Sequence, residues 1–147
     1  MPRIRSILSL LLVAVAIFCV SCGGPKASVP TTYSPEKIEQ LQLLAEPIET
    51  AKESLDVLKG FIADKNWIDT RTYIHGPLGG LRQEMSSLTR SLLPKDQKEA
   101  RNLSKALFSD FERLDAAAKE RNSVAAQRQY GEAVQHLQSF LDLLPSS

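Results

Sequence analysis

The stretch SPEKIEQLQLLAEPIETAKESLDVLKGFIADKN, residues 34–66, decides the fold class. Its apolar residues Ile38, Leu41, Ala45, Ile48, Ala51, Leu55, Leu58 and Ile62 step by threes and fours. That spacing keeps one face of an α-helix buried over about seven turns. Ser34 can accept the unpaired N–H groups of the first turn, Pro35 suits the first helical position, and Glu36 places a negative charge near the positive end of the helix. Pro47 lies inside the run and is expected to bend or interrupt it. Gly60 and residues 64–66 suggest the end.

The same period continues downstream. Asn66, with Asp69 three positions on, can cap a second helix carrying Trp67, Tyr73, Leu78, Leu81, Met85, Leu88 and Leu92. Inside it, residues 76–80 hold three glycines and a proline, a composition that costs a helix several kcal/mol. The expectation there is a kink, a break, or a close approach that demands small residues. A phosphate-binding loop is not supported, since no strand precedes it and no lysine stands in the required place. Pro94 starts a third helix, with Asp96 and Glu99 as a plausible capping pair. Its stripe is Ala100, Leu103, Leu107, Phe111, Leu114 and Ala118, flanked by Phe108. Asn122 and Ser123 turn the chain into a fourth helix with Ala126, Tyr130, Ala133, Leu137, Phe140, Leu141 and Leu144, stopped by Pro145. No alternating Val/Ile/Thr-rich run competes for a strand. Four helices with connections of two to five residues predict an all-α, up-down-up-down antiparallel four-helix bundle over residues 34–147.

Working back toward the N-terminus, Arg3 and Arg5 precede an uncharged run over residues 6–25. Its apolar part, residues 7–20, would rise only ~21 Å as a helix, short of a ~30 Å hydrocarbon core. Two arginines, a short apolar stretch and a small-residue region predict a secretory signal peptide over residues 1–21. Ser21-Cys22-Gly23 after that run resembles a bacterial lipobox and predicts lipidation at Cys22. Cys19 stands where an aliphatic residue is usual; the plainer reading is an ordinary signal peptide that leaves an unmodified thiol. Cleavage leaves Cys22 as the sole cysteine, so neither an internal disulfide nor a Cys-x-x-Cys redox pair survives. Residues 22–33, rich in Gly, Pro and small polar residues, read as a flexible linker reaching roughly 35 Å. The whole chain has 147 residues and a formal net charge of +1, which gives no general attraction for nucleic acid.

Candidate chemistry is sparse. Glu132 and His136 stand one helical turn apart and could share a metal, but no second Glu-x-x-His unit accompanies them. A surface histidine paired with the acid one turn earlier is the preferred reading. His75, beside Gly76 and Pro77, reads as a local hydrogen bonder. No nucleophile elbow is present. Lys98, Arg101 and Lys105 share one face of the third helix, either as a solvated surface or as an electrostatic docking surface for an acidic protein. Aromatic residues do not interleave with them, which argues against single-stranded nucleic acid.

Residues 67–79 (Trp67, Arg71, Tyr73, His75, Gly76, Pro77, Leu78 and Gly79 among them), then Leu81, Arg82 and Met85, residues 92–98, Ala100, Leu107, Phe108, Leu114, Asp115, Ala117 and Ala118 form an ordered set. Together they resemble the PsbQ-like extrinsic proteins of photosystem II, in their cyanobacterial lipoprotein branch, across roughly residues 34–145. The resemblance implies a non-catalytic lumenal bundle, held at the thylakoid membrane by its lipid anchor and partnered by lumenal photosystem II subunits. It implies support for assembly or stability of the oxygen-evolving complex and an indirect role in calcium and chloride retention. It implies no bound manganese cluster, nucleic acid or small-molecule substrate. The alternative is an envelope lipoprotein scaffold or chaperone-like helical bundle.

Overall fold

A computed structural model describes residues 30–146. The expected signal peptide, Cys22 and most of the linker lie outside these residues. Five α-helices are described: α1 Pro35–Ala63, α2 Trp67–His75, α3 Leu81–Ser91, α4 Pro94–Lys119 and α5 Ser123–Leu141. The expected four-helix count is therefore corrected. The second segment is two helices, because residues 76–80 break it.

The physical reason lies in the backbone of that break. Pro77 has no N–H to give to a helical ladder. Instead the Leu78 amide reaches back five residues to the Tyr73 carbonyl at 3.3 Å, and Gly79 N–H bonds Gly76 O at 2.9 Å. This tight path brings Gly79 so close to the preceding turn that a Cβ there would lie 2.7 Å from the His75 carbonyl oxygen. The break and the close approach occur together.

α1 runs unbroken through Pro47. Proline leaves the Leu43 carbonyl without its usual donor, but Leu43 and Pro47 are both exposed, so water can take that place. Ser34 caps the helix, its Oγ accepting from Lys37 N–H at 3.3 Å. α4 begins at Pro94 with Leu93 as its N-cap and no side-chain cap bond. The expected Asp96–Glu99 pair is thus corrected. Starting at Pro94 places Asp96 inside the first turn, where its carboxylate accepts instead from the Tyr33 hydroxyl at 2.7 Å.

The helices alternate in direction. At one end Tyr33, just ahead of α1, accepts from Leu93 N–H at 3.1 Å, so the chain enters the bundle where α3 hands over to α4. At the other end Arg71 of α2 meets Asp115 near the close of α4. Along the α1–α5 seam, Lys52 and Asp56 share a groove with Val134 and Gln138, whereas Lys59 and Ile62 share one with Gln127. Rising numbers on α1 meet falling numbers on α5, the mark of antiparallel neighbours.

The interior is filled by the periodic residues. From α1 come Leu41, Ala45, Ile48, Ala51, Leu55, Leu58 and Ile62; from α4 and α5 come Leu107, Phe111, Leu114, Ala126, Ala133, Leu137 and Phe140. Each large side chain so buried contributes about 1.5–3 kcal/mol, which offsets the entropy of ordering the chain. Four polar residues are also buried: Thr70, Thr89, Asp110 and Gln129. Thr70 and Thr89 bond carbonyls one turn back, at 2.8 and 2.7 Å.

The two connections at the end opposite Tyr33 are near copies. Lys65 and Arg121 each take the left-handed conformation at φ 55. Asn66 N–H bonds Phe61 O and Lys65 N–H bonds Ile62 O; Asn122 N–H bonds Ala117 O and Arg121 N–H bonds Ala118 O. Each is a Schellman closure. Each asparagine then caps the next helix, accepting from Asp69 N–H and Ala125 N–H respectively.

Candidate functional site

An extended polar cluster joins α2 to α4. Arg71 and His75, one turn apart on α2, both face Asp115. Arg71 Nε and His75 Nε2 each lie 3.0 Å from Asp115 Oδ1, and a second Arg71 nitrogen lies 3.5 Å from Oδ2. His75 thus bonds across to another helix, 40 residues along the chain, rather than within its own turn. Burial pushes the Asp115 carboxyl up, but the hydrogen bonds from Arg71 and His75 and the Arg71 charge outweigh it and hold the group below its usual value.

Two open grooves flank this cluster. One, about 420 Å³, is lined by Trp67, Ile68, Arg71, Lys119 and Arg121 among others. The second, about 370 Å³, is lined by Ile74, Leu78, Arg82, Phe108 and Phe111 along with the cluster itself. There the Arg82 guanidinium stacks 4.1 Å from the Phe108 ring centre. These are surface grooves on a filled bundle.

The other residues singled out in the sequence fall elsewhere. Lys98, Arg101 and Lys105 are all exposed on α4. Arg101 donates to Gln97 Oε1 at 3.3 Å, one turn back, and among the described residues no carboxylate lies within salt-bridge distance of the three. Glu132 and His136 line one shallow groove, but the expected pairing between them is corrected. His136 Nδ1 lies 2.6 Å from Asp110 Oδ2, a carboxylate that α4 buries almost fully and that Arg113 approaches at 3.6 Å. A fully buried carboxylate gains more from a hydrogen bond than a part-exposed one such as Glu132, which water still reaches. Among the described residues no group of three or more His, Cys, Asp or Glu could hold a metal ion.

Sequence reasoning missed Asp110, Lys119 and Arg121. Asp110 sits where the α4 stripe passes inward, next to Phe111, and a lone acid on an apolar face was its only signal. For Arg121 the signal was a repeat: Asp64-Lys65-Asn66 before α2 and Glu120-Arg121-Asn122 before α5 share one acid–base–asparagine pattern.

At the other end, burial first and then the hydrogen bond to Asp96 push the Tyr33 hydroxyl up to about 12, while the Leu93 amide pulls the other way. Tyr33 holds the entry of the chain against the start of α4.

Comparison with known proteins places this surface in a family. The family described as PsbQ, oxygen evolving enhancer protein 3, matches residues 3–145. CyanoQ of Synechocystis sp. is 55% identical over 148 aligned positions, covering 100% of this chain and 99% of its own. Oxygen-evolving enhancer protein 3-2, chloroplastic, of Arabidopsis thaliana is 31% identical over 94 residues, covering 63% of this chain and 40% of its own. Its counterpart in Spinacia oleracea, oxygen-evolving enhancer protein 3, chloroplastic, is 32% identical over 93 residues, covering 63% and 39%. With a family match that spans nearly every residue, and a bundle whose features lie on its exterior, this chain belongs to the PsbQ family.

Proposed function

We propose that this chain is a non-catalytic extrinsic subunit of photosystem II, working on the lumenal side of the thylakoid membrane. There it supports assembly or stability of the oxygen-evolving complex and the retention of its calcium and chloride. The observation that carries this reading is end-to-end similarity to CyanoQ at 55% identity, within the PsbQ family. The physical character of the molecule is in keeping with it. Among the described residues the core is filled by the bundle's own side chains, and the two grooves beside the Asp115 cluster open onto its exterior.

Placement rests on Cys22. The sequence Ser21-Cys22-Gly23 after an apolar run supports acylation, and several acyl chains hold far better than one because each buried CH₂ contributes about 0.8 kcal/mol. Cys22→Ser then releases the protein from membranes; unchanged membrane partitioning refutes the anchor. The bases Lys98, Arg101 and Lys105 are a docking contact within the same reading, supported by their exposure and, among the described residues, their lack of carboxylate partners. Reversing charge at Arg101 and Lys105 weakens association and flattens its salt dependence.

The deciding experiment is co-purification with photosystem II, joined to oxygen evolution of a deletion strain with calcium and chloride either scarce or replete. Loss of oxygen yield concentrated in the depleted condition supports the reading. Equal yields in both, together with outer-membrane rather than thylakoid enrichment, would favour an envelope scaffold.

A further inference from the structure

We propose that the groove between α2 and the end of α4 is a docking surface for an acidic segment of a partner protein, one that presents carboxylates around an apolar residue. The proposal deepens the reading above and rests on it. Arg71, Lys119 and Arg121 line the groove beside His75, and no carboxylate does. Asp115 consumes two of the Arg71 nitrogens from the neighbouring groove. Lys119 and Arg121 are exposed and, among the described residues, have no salt-bridge partner. The other acids of this end are Asp64, Asp69 and Glu120. None of them lines the groove, and Asp69 is held by Asn66 at 2.6 Å.

An apolar contact stands beside those charges. Ile68 is 81% exposed on the groove wall next to the half-buried Trp67, and Val124, at the matching position of the twin turn, is 80% exposed. Ile68 lies in the same groove wall as the bases, so apolar contact and positive charge share one surface there, whereas Val124 lies outside it. Arg121 adds a further sign. It occupies a left-handed position where glycine would be unstrained, so the chain keeps a long cation there at the expense of backbone ease. A short peptide fits this arrangement better than nucleic acid, because one partly buried tryptophan gives no ladder of stacking platforms.

The test uses the full chain and photosystem II particles stripped of it. Reversing both free bases, Lys119→Glu with Arg121→Glu, keeps an ordinary side chain at residue 121 and leaves the core untouched. It is expected to weaken binding by about tenfold or more and to flatten the dependence on salt. The conservative pair Lys119→Arg with Arg121→Lys keeps wild-type affinity. A control reversal of equal charge at exposed residues along the α1–α5 seam, Lys52→Glu with Lys59→Glu, changes binding little. Affinity of the groove variant within about twofold of wild type overturns the proposal and leaves the subunit role standing. An equal loss from the α1 control overturns it too, by reducing the effect to net charge. A wild-type difference seen on phosphatidylglycerol vesicles and not on the photosystem assigns the groove to lipid and also overturns it. Failure of the wild-type chain to bind at all overturns both readings.

Discussion

The twin turns at residues 64–66 and 120–122 and the glycine-rich break at residues 76–80 solve chain reversal and chain interruption in opposite ways. The turns need a left-handed residue, yet fill it with Lys65 and Arg121. The break holds three glycines, and among the described residues no glycine has positive φ. Gly79, and less tightly Gly76, are used there for space, because the chain folds back against its own preceding turn, whereas a Cβ at Gly80 would meet nothing. The difference teaches that conformational freedom and lack of bulk are separate uses of glycine. Here only the second has no substitute, since a lysine or arginine can bear the left-handed strain if a Schellman closure and an asparagine cap hold it.

The largest expected effect is therefore at Gly79. A methyl group meets the His75 carbonyl oxygen at 2.7 Å, a backbone atom that cannot swing aside. Gly79→Ala should cost about 2–3 kcal/mol and lower the thermal midpoint by roughly 10 °C. An unchanged midpoint in a thermal melt would show that the break can re-form without close approach, and the contrast would fail. Next come the caps. Asn122→Ala should cost about 1 kcal/mol in denaturant unfolding, with Asn66→Ala slightly more because the bond to Asp69 goes as well. Clearly unequal losses would show that the two turns are alike only in outline.

A smaller effect of opposite sign is expected at the strained positions. Lys65→Gly or Arg121→Gly should stabilise by about 0.5–1 kcal/mol, the relief of left-handed strain less the extra chain entropy of glycine. If Arg121 is kept for docking, Arg121→Gly gains stability and loses affinity, whereas Lys65→Gly, outside the groove, only gains stability. The smallest effect is acidic. Asp115 has its carboxyl held below its usual value of 3.8, so its ties to α2 stabilise the fold above that value. The contribution is lost as pH falls through the lower folded-state value. Asp115→Asn should be less stable than wild type at neutral pH, and the gap should narrow in urea titrations below about pH 4. Because Arg71 is 43% exposed, water screens the pair and the change is small. A gap that stays constant with pH would mean that Asp115 ties α2 before the break by shape rather than by charge.

Much of the fold could be read directly. The α1 stripe was complete except at Ile38, which is half-buried, and the Asn66 and Asn122 starts both fell where expected. Residues 76–80 were legible as a kink, a break or a close approach, with no choice among the three, because composition reports the cost of a helix and not the alternative path. The candidate site was less legible. The exposed bases Lys98, Arg101 and Lys105 on α4 stood out by spacing, while the groove beside Trp67 is built from two helix ends and a turn, and no spacing rule joins them.

What the sequence determined alone was the class: helices, their buried faces and most of their ends. Helical period and capping act between residues three or four apart, and that information is written locally. Which polar groups meet was decided only by tertiary structure. Tyr33 reaches Asp96 across 63 residues, Arg71 reaches Asp115 across 44, and His136 takes Asp110 across 26 in place of Glu132 beside it. Those partners depend on the rotation and register of each helix against its neighbours, and these are set by the packing of the whole core at once.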